Sequence, residues 1–403
     1  MILLTVESFM KKITISSHNI QRIEQGHPWI YRSQIRSLQE GIEAGDIVGI
    51  QTDQKKWVGL GYYNPLSEIS IRLVSRQKIE FNKEFLKSRF LAAKKLREEL
   101  LGNLQTVRWI NSESDQLPGL VVDAYAGFFV IQITTLGMER VKDWILECLQ
   151  EIFQPRGIYE RNDFPTRSLE GLPLRQGNLQ GEEPPPLISI EENGSKFRVD
   201  IRQGHKTGFY LDQKENRDCA ARLARGKSIL DCFTYTGGFA ITALTHGAQS
   251  VLAVDISSSA LTLARENAKL NQVEDRWQDM EGNGFDILKL LSSQNQKFDM
   301  IILDPPSFTK NRASVERALA GYKEINIRAL KMINPGGILV TASCSHHIDE
   351  LLFINMVKEA AKDSRRSLME IARGRQASDH PILAHIPETR YLSCLFYRVD
   401  HVS

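Results

Sequence analysis

Four short apolar runs in the second half of the chain, Ile229 to Phe233, Ser250 to Val254, Phe298 to Leu303 and Gly337 to Ser343, are separated by segments of helical periodicity. Strands alternating with helices in this order predict a largely parallel sheet with helices on both faces. Such a sheet places its ligands beyond the carboxyl ends of its strands. The residues that end these runs are therefore the first place to look for chemistry.

The first run continues Ile229-Leu-Asp-Cys-Phe-Thr-Tyr-Thr-Gly-Gly-Phe239, a buried strand, a glycine turn and the start of a helix. Gly237 and Gly238 remove Cβ atoms that would keep the backbone away from a nucleotide-like ligand. The second run ends in Asp255, about 20 residues on, where a carboxylate can hydrogen-bond both hydroxyls of a ribose. The full Gly-x-Gly-x-x-Gly pattern that seats a pyrophosphate is missing, and Asp231, Phe233 and Tyr235 surround the turn instead. An acidic turn suits a cationic ligand, which favours S-adenosylmethionine over a dinucleotide.

The third run ends Asp304-Pro305-Pro306-Ser-Phe308. Two prolines hold the backbone extended and leave carbonyls free to accept from the amino group of a planar base, while Asp304 and Phe308 suit a nucleobase. The fourth ends Thr341-Ala-Ser-Cys344-Ser-His-His347. Cytosine C5 attacks a methyl sulfonium only after a thiolate has added at C6, and a Cys beside Ser and His, near a cationic cofactor, is placed to supply that thiolate. Cys344 is the candidate nucleophile. Cys232 either packs or lines the cofactor, and Cys148, Cys219 and Cys394 lack polar company.

At 403 residues the chain is long enough for two or three domains. Short β-like runs between residues 12 and 80 predict a small β-barrel, and Glu84 to Leu101 predicts an amphipathic helix that links two domains. A hairpin is expected over 107 to 133, a helix from Gly137 to about Phe153, and a loop or linker over Gly177 to Pro186. The charge balance of +2 neither requires nor excludes a polyanionic partner. Five scattered cysteines without a Cys-x-x-Cys pair predict reduced thiols and no metal site, and the amino-terminal apolar run is interrupted before it could export or anchor the chain. A cytoplasmic protein is the expectation, with no membrane contact.

The ordered motifs Gly26-His-Pro-Trp-Ile-Tyr31, Gly204-His-Lys-Thr-Gly-Phe-Tyr-Leu-Asp-Gln213, Phe233-Thr-Tyr-Thr-Gly-Gly238, Asp304-Pro-Pro-Ser-Phe308, Gly321-Tyr-Lys-Glu-Ile-Asn326, Ser343-Cys-Ser345 and Asp379-His-Pro381 span nearly the whole chain. In these it resembles the bacterial 23S rRNA cytosine-5 methyltransferases with an N-terminal PUA domain. The resemblance implies an α/β protein with a PUA-like RNA-binding barrel over residues 1–82, a central α/β linking domain over 83–186 and a Rossmann-like class I methyltransferase domain over 187–403. It implies that this last domain ends in an antiparallel strand, near Tyr391 to Val399. It also implies that Phe209, Tyr210, Asp212 and Gln213 help wall an S-adenosylmethionine site and that Asn283 approaches the adenine ring, although Glu-Gly-Asn-Gly departs from the acidic pair usual there. A further departure is the absence of a second Cys after the proline of the Asp-Pro-Pro stretch. Asp304 is then the base that takes the C5 proton, the carboxylate that positions the base, or a group that orients cytosine through its amino group.

For RNA, the barrel segment offers Lys11, Lys12, Arg22, Arg32 and Arg36 with Trp29 and Tyr31, a mixture suited to phosphate contact and base stacking. Trp29 could equally be core, and the cations ordinary solvated charges. Lys310, Arg312, Arg317 and Lys323 follow the Asp-Pro-Pro motif and could hold RNA beside a flipped base, or be surface charges of a helix. The substrate expected is 23S rRNA, with room for a homodimer. Alternatives are methylation of guanine N7 in rRNA, which needs no thiol, and a non-catalytic RNA-binding assembly factor that keeps the cofactor fold.

Overall fold

The computed structural model describes residues 10–18, 20–102, 104–309, 312–345 and 347–401. They group into two compact units. One comprises Met1–Ile188, Val199–Phe209 and Ser378–Thr389, the other Ser189–Arg198, Tyr210–Ala377 and Arg390–Ser403.

The first unit holds two sheets, with one apolar cluster inside the amino-terminal sheet and a second shared by both sheets. Its amino-terminal strands are Lys12–Ile15, Trp29–Ile30, Ile35–Leu38, Ile47–Thr52, Trp57–Tyr63 and Ile71–Ser75, and in that numbering they lie in the order 2-6-5-4-1-3. Alternation sends Ile13, Ile15, Val48, Ile50, Ile71 and Leu73 inward. The second sheet runs through Thr106–Asn111, Leu120–Tyr125, Phe128–Ile133, Gly157–Asn162 and Arg175–Gly181 in sequence order. Leu60, Tyr62 and Val74 of the first sheet share a cluster with Val122, Ile131 and Leu149 beside the second.

The helix Lys83–Leu100, expected to link two domains, buries Leu86, Phe90, Ala93 and Arg97 within this unit, and Asn82 Oδ1 caps its first turn at the Phe85 amide, 3.0 Å away. The expected loop over Gly177 to Pro186 also begins as structure, because Arg175–Gly181 pairs antiparallel with Gly157–Asn162. It is an edge strand with most residues exposed, so it has no apolar alternation by which to be read. Residues 199–209 and 378–389 fold here through polar contacts. Thr207 Oγ1 donates to Asp123 Oδ2 at 2.5 Å, and the Arg108 amide donates to Asp379 Oδ2 at 2.9 Å.

In the second unit the elements are α1 (Lys214–Arg222), β1 (Ser228–Cys232), α2 (Gly238–Thr245), β2 (Ser250–Asp255), α3 (Ser258–Leu270), β3 (Trp277–Glu281), α4 (Gly284–Ser293), β4 (Phe298–Leu303), α5 (Val315–Met332), β5 (Ile333–Ser343), α6 (Glu350–Asp363), β6 (Arg366–Arg375) and β7 (Ser393–His401). The sheet order is β3-β2-β1-β4-β5-β7-β6. The first five strands are parallel, β7 is antiparallel to β5 and β6 to β7. The antiparallel ending lies close to the span expected for it. The all-apolar strands read from sequence are the central ones, buried on both faces. The two edges, β3 (Trp-Gln-Asp-Met-Glu) and the largely exposed β6, escaped that reading because each is covered on one side at most.

Register aligns the strand ends. Asp231 lies opposite Ile302, Cys232 opposite Leu303 and Leu303 opposite Thr341. The residues after β1, β2, β4 and β5 therefore emerge along one edge of the sheet.

Candidate active site

The turn after β1 is built by backbone conformation. Phe233, Tyr235 and Gly237 all have positive φ, at 67°, 51° and 86°, and Gly237 is the residue before α2. Only at Gly237 is the residue type suited to that region; the two aromatics are held there against their preference by the bonds around them. The Phe233 and Thr234 amides both donate to the Val254 carbonyl, and the Tyr235 amide donates to Asp255 Oδ2 at 2.8 Å. Asp255 Oδ1 accepts from the Ser257 amide at 2.9 Å. Across the turn, a Cβ on Gly284 would stand 2.6 Å from the Phe233 ring, so this position accepts only glycine while the ring stays where it is.

Asp231 is fully buried. Its Oδ2 accepts from Thr234 Oγ1 at 2.6 Å and from the Ala240 amide at 3.2 Å, while Oδ1 has no hydrogen-bond partner. Burial raises this carboxyl to about 7, Thr234 opposes the shift, and the charge of Asp304 adds to it. A buried carboxylate oxygen without a donor is a strong place for a cation carrying N–H groups. The orphaned Asp231 oxygen, the Asp255 carboxylate on the neighbouring strand and the glycine-lined cradle together fit a cationic, adenosine-bearing cofactor.

Asp304 follows β4, and its Oδ1 accepts from Gln213 Nε2 at 2.9 Å. Gln213 is itself held by Asn216, whose Nδ2 donates to Gln213 Oε1 at 2.6 Å. Cys344 follows β5, partly exposed, with its Sγ 3.9 Å from the Pro305 carbonyl. The thiol and the Asp-Pro-Pro stretch are thus neighbours. Tyr210 stacks edge-on against Tyr235 at 5.5 Å, and burial, with the charge of Asp304 adding, pushes its phenol well above the usual range. Burial raises Cys232 and Cys394 far above the ordinary value, Cys148 to about 11, and Cys219 more modestly. Among the described residues no cluster of His, Cys, Asp and Glu is arranged to hold a metal ion.

Residues 176–384 match the S-adenosylmethionine-dependent methyltransferase family, and residues 13–76 match the PUA-like domain. The ribosomal RNA large subunit methyltransferase I of Vibrio campbellii is 41% identical over 92% of this chain and 94% of its own length, and that of Shewanella denitrificans is 41% identical over 96% and 99%. This chain belongs to the ribosomal RNA large subunit methyltransferase I family. Its cofactor is S-adenosylmethionine. The whole fold of this methyltransferase recurs in a protein from Streptococcus mutans described as a SAM-dependent methyltransferase, with a TM-score of 0.83 at 20% identity over 96% of this chain and 100% of that one. A methyltransferase complexed with SAH matches at 0.84 and 20% identity, with the same coverage.

The remaining candidate residues of the methyltransferase fall unevenly. Gly238 opens α2 and is buried. Phe209 belongs to the first unit, where its amide donates to Tyr125 Oη at 3.3 Å. Asp212 Oδ2 accepts from Tyr391 Oη, two residues before β7, at 2.9 Å. Asn283 is exposed and uses its Oδ1 to cap α4 at the Phe285 amide. Pro305 is buried and Pro306 exposed. The Phe308 ring lies between Tyr322, 4.5 Å away, and Phe285, 5.5 Å away.

Of the RNA candidates, Lys310 lies outside the described residues. Arg317 is exposed, and Lys323 pairs with Asp363 at 2.8 Å. Lys11 bonds the Gly41 carbonyl and Asp46, the Lys12 amide donates to Gln39, Arg22 pairs with Glu388, and Arg32 donates to the Leu66 carbonyl. Trp29, expected either in the core or at RNA, has partners within the protein. Its Nε1 donates to Glu113 at 2.8 Å and the Arg72 guanidinium covers one ring face at 5.4 Å, so neither that face nor the N–H is available to a base. Sequence reasoning gave no role to Asn216 or to Tyr322. The only signal for Tyr322 was its place in the Gly321 to Asn326 motif.

Proposed function

We propose that this chain methylates C5 of a cytosine in large-subunit ribosomal RNA, with Cys344 as the attacking thiol. The observation that carries the reading is the partly exposed Cys344 thiol beside Pro305 at the ligand edge of the sheet, next to Asp304. The rRNA substrate rests on the names of the relatives and on the PUA-like domain. Nothing in the relatives supports a homodimer, so the reading concerns a single chain.

Bound S-adenosylmethionine would supply an electrophilic methyl group to C5, its S–CH3 bond pair staying on sulfur so that the sulfonium leaves as a neutral thioether. The Cys344 thiolate adds to C6, forming a C6–S bond and moving the C5–C6 π pair so that C5 becomes the nucleophile. Once C5 holds both methyl and hydrogen, a base takes the C5 proton, its electrons restore the C5–C6 double bond and the C6–S bond breaks to return the thiolate. Asp304, oriented by Gln213, is the proton acceptor or the carboxylate that positions it. Methylation of guanine N7 would leave Cys344 without a task.

The test is bisulfite sequencing of large-subunit rRNA from cells with the gene, without it, and rescued by Cys344→Ala. One cytosine mark should vanish with the gene and stay absent in the rescue, and methylation in vitro should fall by about a thousandfold or more. A mark restored by the Ala variant rejects the thiol mechanism. An rRNA methylation profile indifferent to the gene rejects the substrate.

A further inference from the structure

Cys344 is flanked by two serines whose hydroxyls converge on one buried phenol. Ser343 Oγ donates to Tyr322 Oη at 3.2 Å, and Tyr322 Oη lies 3.0 Å from Ser345 Oγ. Ser345 Oγ in turn lies 3.0 Å from Ser307 Oγ, which donates to the Thr309 carbonyl at 2.9 Å. The two ends fix the direction of the series. Ser343 donates to Tyr322, Tyr322 to Ser345, Ser345 to Ser307 and Ser307 to a carbonyl, so each hydroxyl inside the series donates one bond and accepts one, and the bonds polarise one another.

The Tyr322 ring is fully buried on α5, against Phe308 on one side and Phe353 on the other, at 4.5 Å and 5.4 Å between centroids. Burial keeps its phenol protonated by raising it above its usual range. The packed ring leaves the hydroxyl one location, between the serines.

We propose that Tyr322 is a positioning residue that fixes the Cys344 loop on both sides of the thiol and couples it, through Ser345 and Ser307, to the loop that begins at Asp304. Tyr322 does not touch the reacting atoms. It sets the direction of approach of the thiol relative to the base held at Asp304–Phe308, a geometry in which an error of about 1 Å can cost on the order of 100-fold in rate. This inference rests on the cytosine-5 reading above.

The experiment compares the wild type, Y322F, S345A, the double variant Y322F/S345A and C344A. It measures steady-state methylation of large-subunit rRNA and covalent trapping on RNA containing 5-fluorocytosine, whose adduct cannot lose its C5 substituent. Y322F keeps the ring stack and should keep its melting temperature and both KM values, while kcat and the trapping rate fall together by roughly 10- to 100-fold. S345A should fall in the same way, and the double variant should be no slower than the worse single one, because the hydroxyls act as a unit. Wild-type trapping by Y322F overturns the inference. So does a loss confined to KM or to melting temperature, or a double variant whose losses multiply. If Y322F does not fold, S345A decides by the same kcat and trapping criteria. C344A methylating at the wild-type rate rejects the cytosine-5 reading itself, whereas inactive C344A beside normal Y322F rejects only the role of Tyr322.

Discussion

Three buried carboxylates of the first unit, Asp115, Asp123 and Asp379, and one of the second, Asp231, meet burial in opposite ways. In the first, Arg97 meets Asp115 through two bonds, at 2.5 and 2.8 Å, Arg108 grips Asp123 at 2.7 and 2.8 Å, and Asp379 accepts from the Arg108 amide and His380. In the second, Asp231 faces a hydroxyl, an amide and the like charge of Asp304. The consequence is visible in their ionisation. Burial pushes both Asp379 and Asp231 upward, but His380 and Arg108 outweigh it and leave Asp379 below the usual range, whereas Asp231 rises to about 7. Paired carboxylates fasten the architecture of the first unit. The carboxylate lacking a countercharge is the one we propose faces the cationic cofactor.

Replacing Arg97 by Ala should break this contrast most severely. It would leave Asp115 charged and buried, at a cost of about 3–5 kcal/mol, read as a fall in the denaturation midpoint, and adding Asp115→Asn should recover part of it. An Arg97→Ala protein as stable as the wild type would show that the pair is not structural.

Asp231→Asn tests the other side. Cofactor affinity by calorimetry should weaken roughly 30- to 100-fold through loss of the charged acceptor. Stability should move the other way. Because the folded carboxyl titrates near 7 rather than at its usual 3.8, the folded state binds more protons across that window, and stability is lost as pH rises through it. The cofactor-free Asn variant should therefore melt above the wild type at about pH 8, by at most about 4 kcal/mol, and lose that advantage below about pH 4. An unchanged affinity would remove Asp231 from the cofactor site.

Gly284→Ala sharpens the comparison with the smallest step. The added methyl meets the Phe233 ring and must displace it, at about 1–3 kcal/mol. Cofactor binding should weaken several-fold while the first unit's resistance to proteolysis stays constant. Full affinity in this variant would mean that the Phe233 turn tolerates displacement.

Much of the ligand edge was legible because its strands are apolar on both faces and its special residues stand at their ends. Asp231, Asp255, Asp304 and Cys344 could each be placed at or just past the carboxyl end of a strand without knowing the strand order. The barrel cations and Trp29 were harder, because the same residues serve a surface, a core or an ion pair, and only partners separate these uses. Glu113 lies 84 positions from Trp29, and Glu388 lies 366 from Arg22. The edge strands Arg175–Gly181 and Arg366–Arg375 were missed for a related reason, since exposed strands carry little apolar alternation.

The sequence alone determined the alternating α/β order, the acidic glycine turn and the one thiol set among serines at a strand end, because these follow from local periodicity and residue chemistry. Tertiary structure decided what those groups face. It left one Asp231 oxygen without a partner, set Gln213 against Asp304, brought Cys344 to Pro305 and turned the Tyr322 hydroxyl onto the serines beside the thiol. Those relations join residues 21 to 91 positions apart, and the parallel register that creates them is fixed by burial of both sheet faces rather than by any local signal.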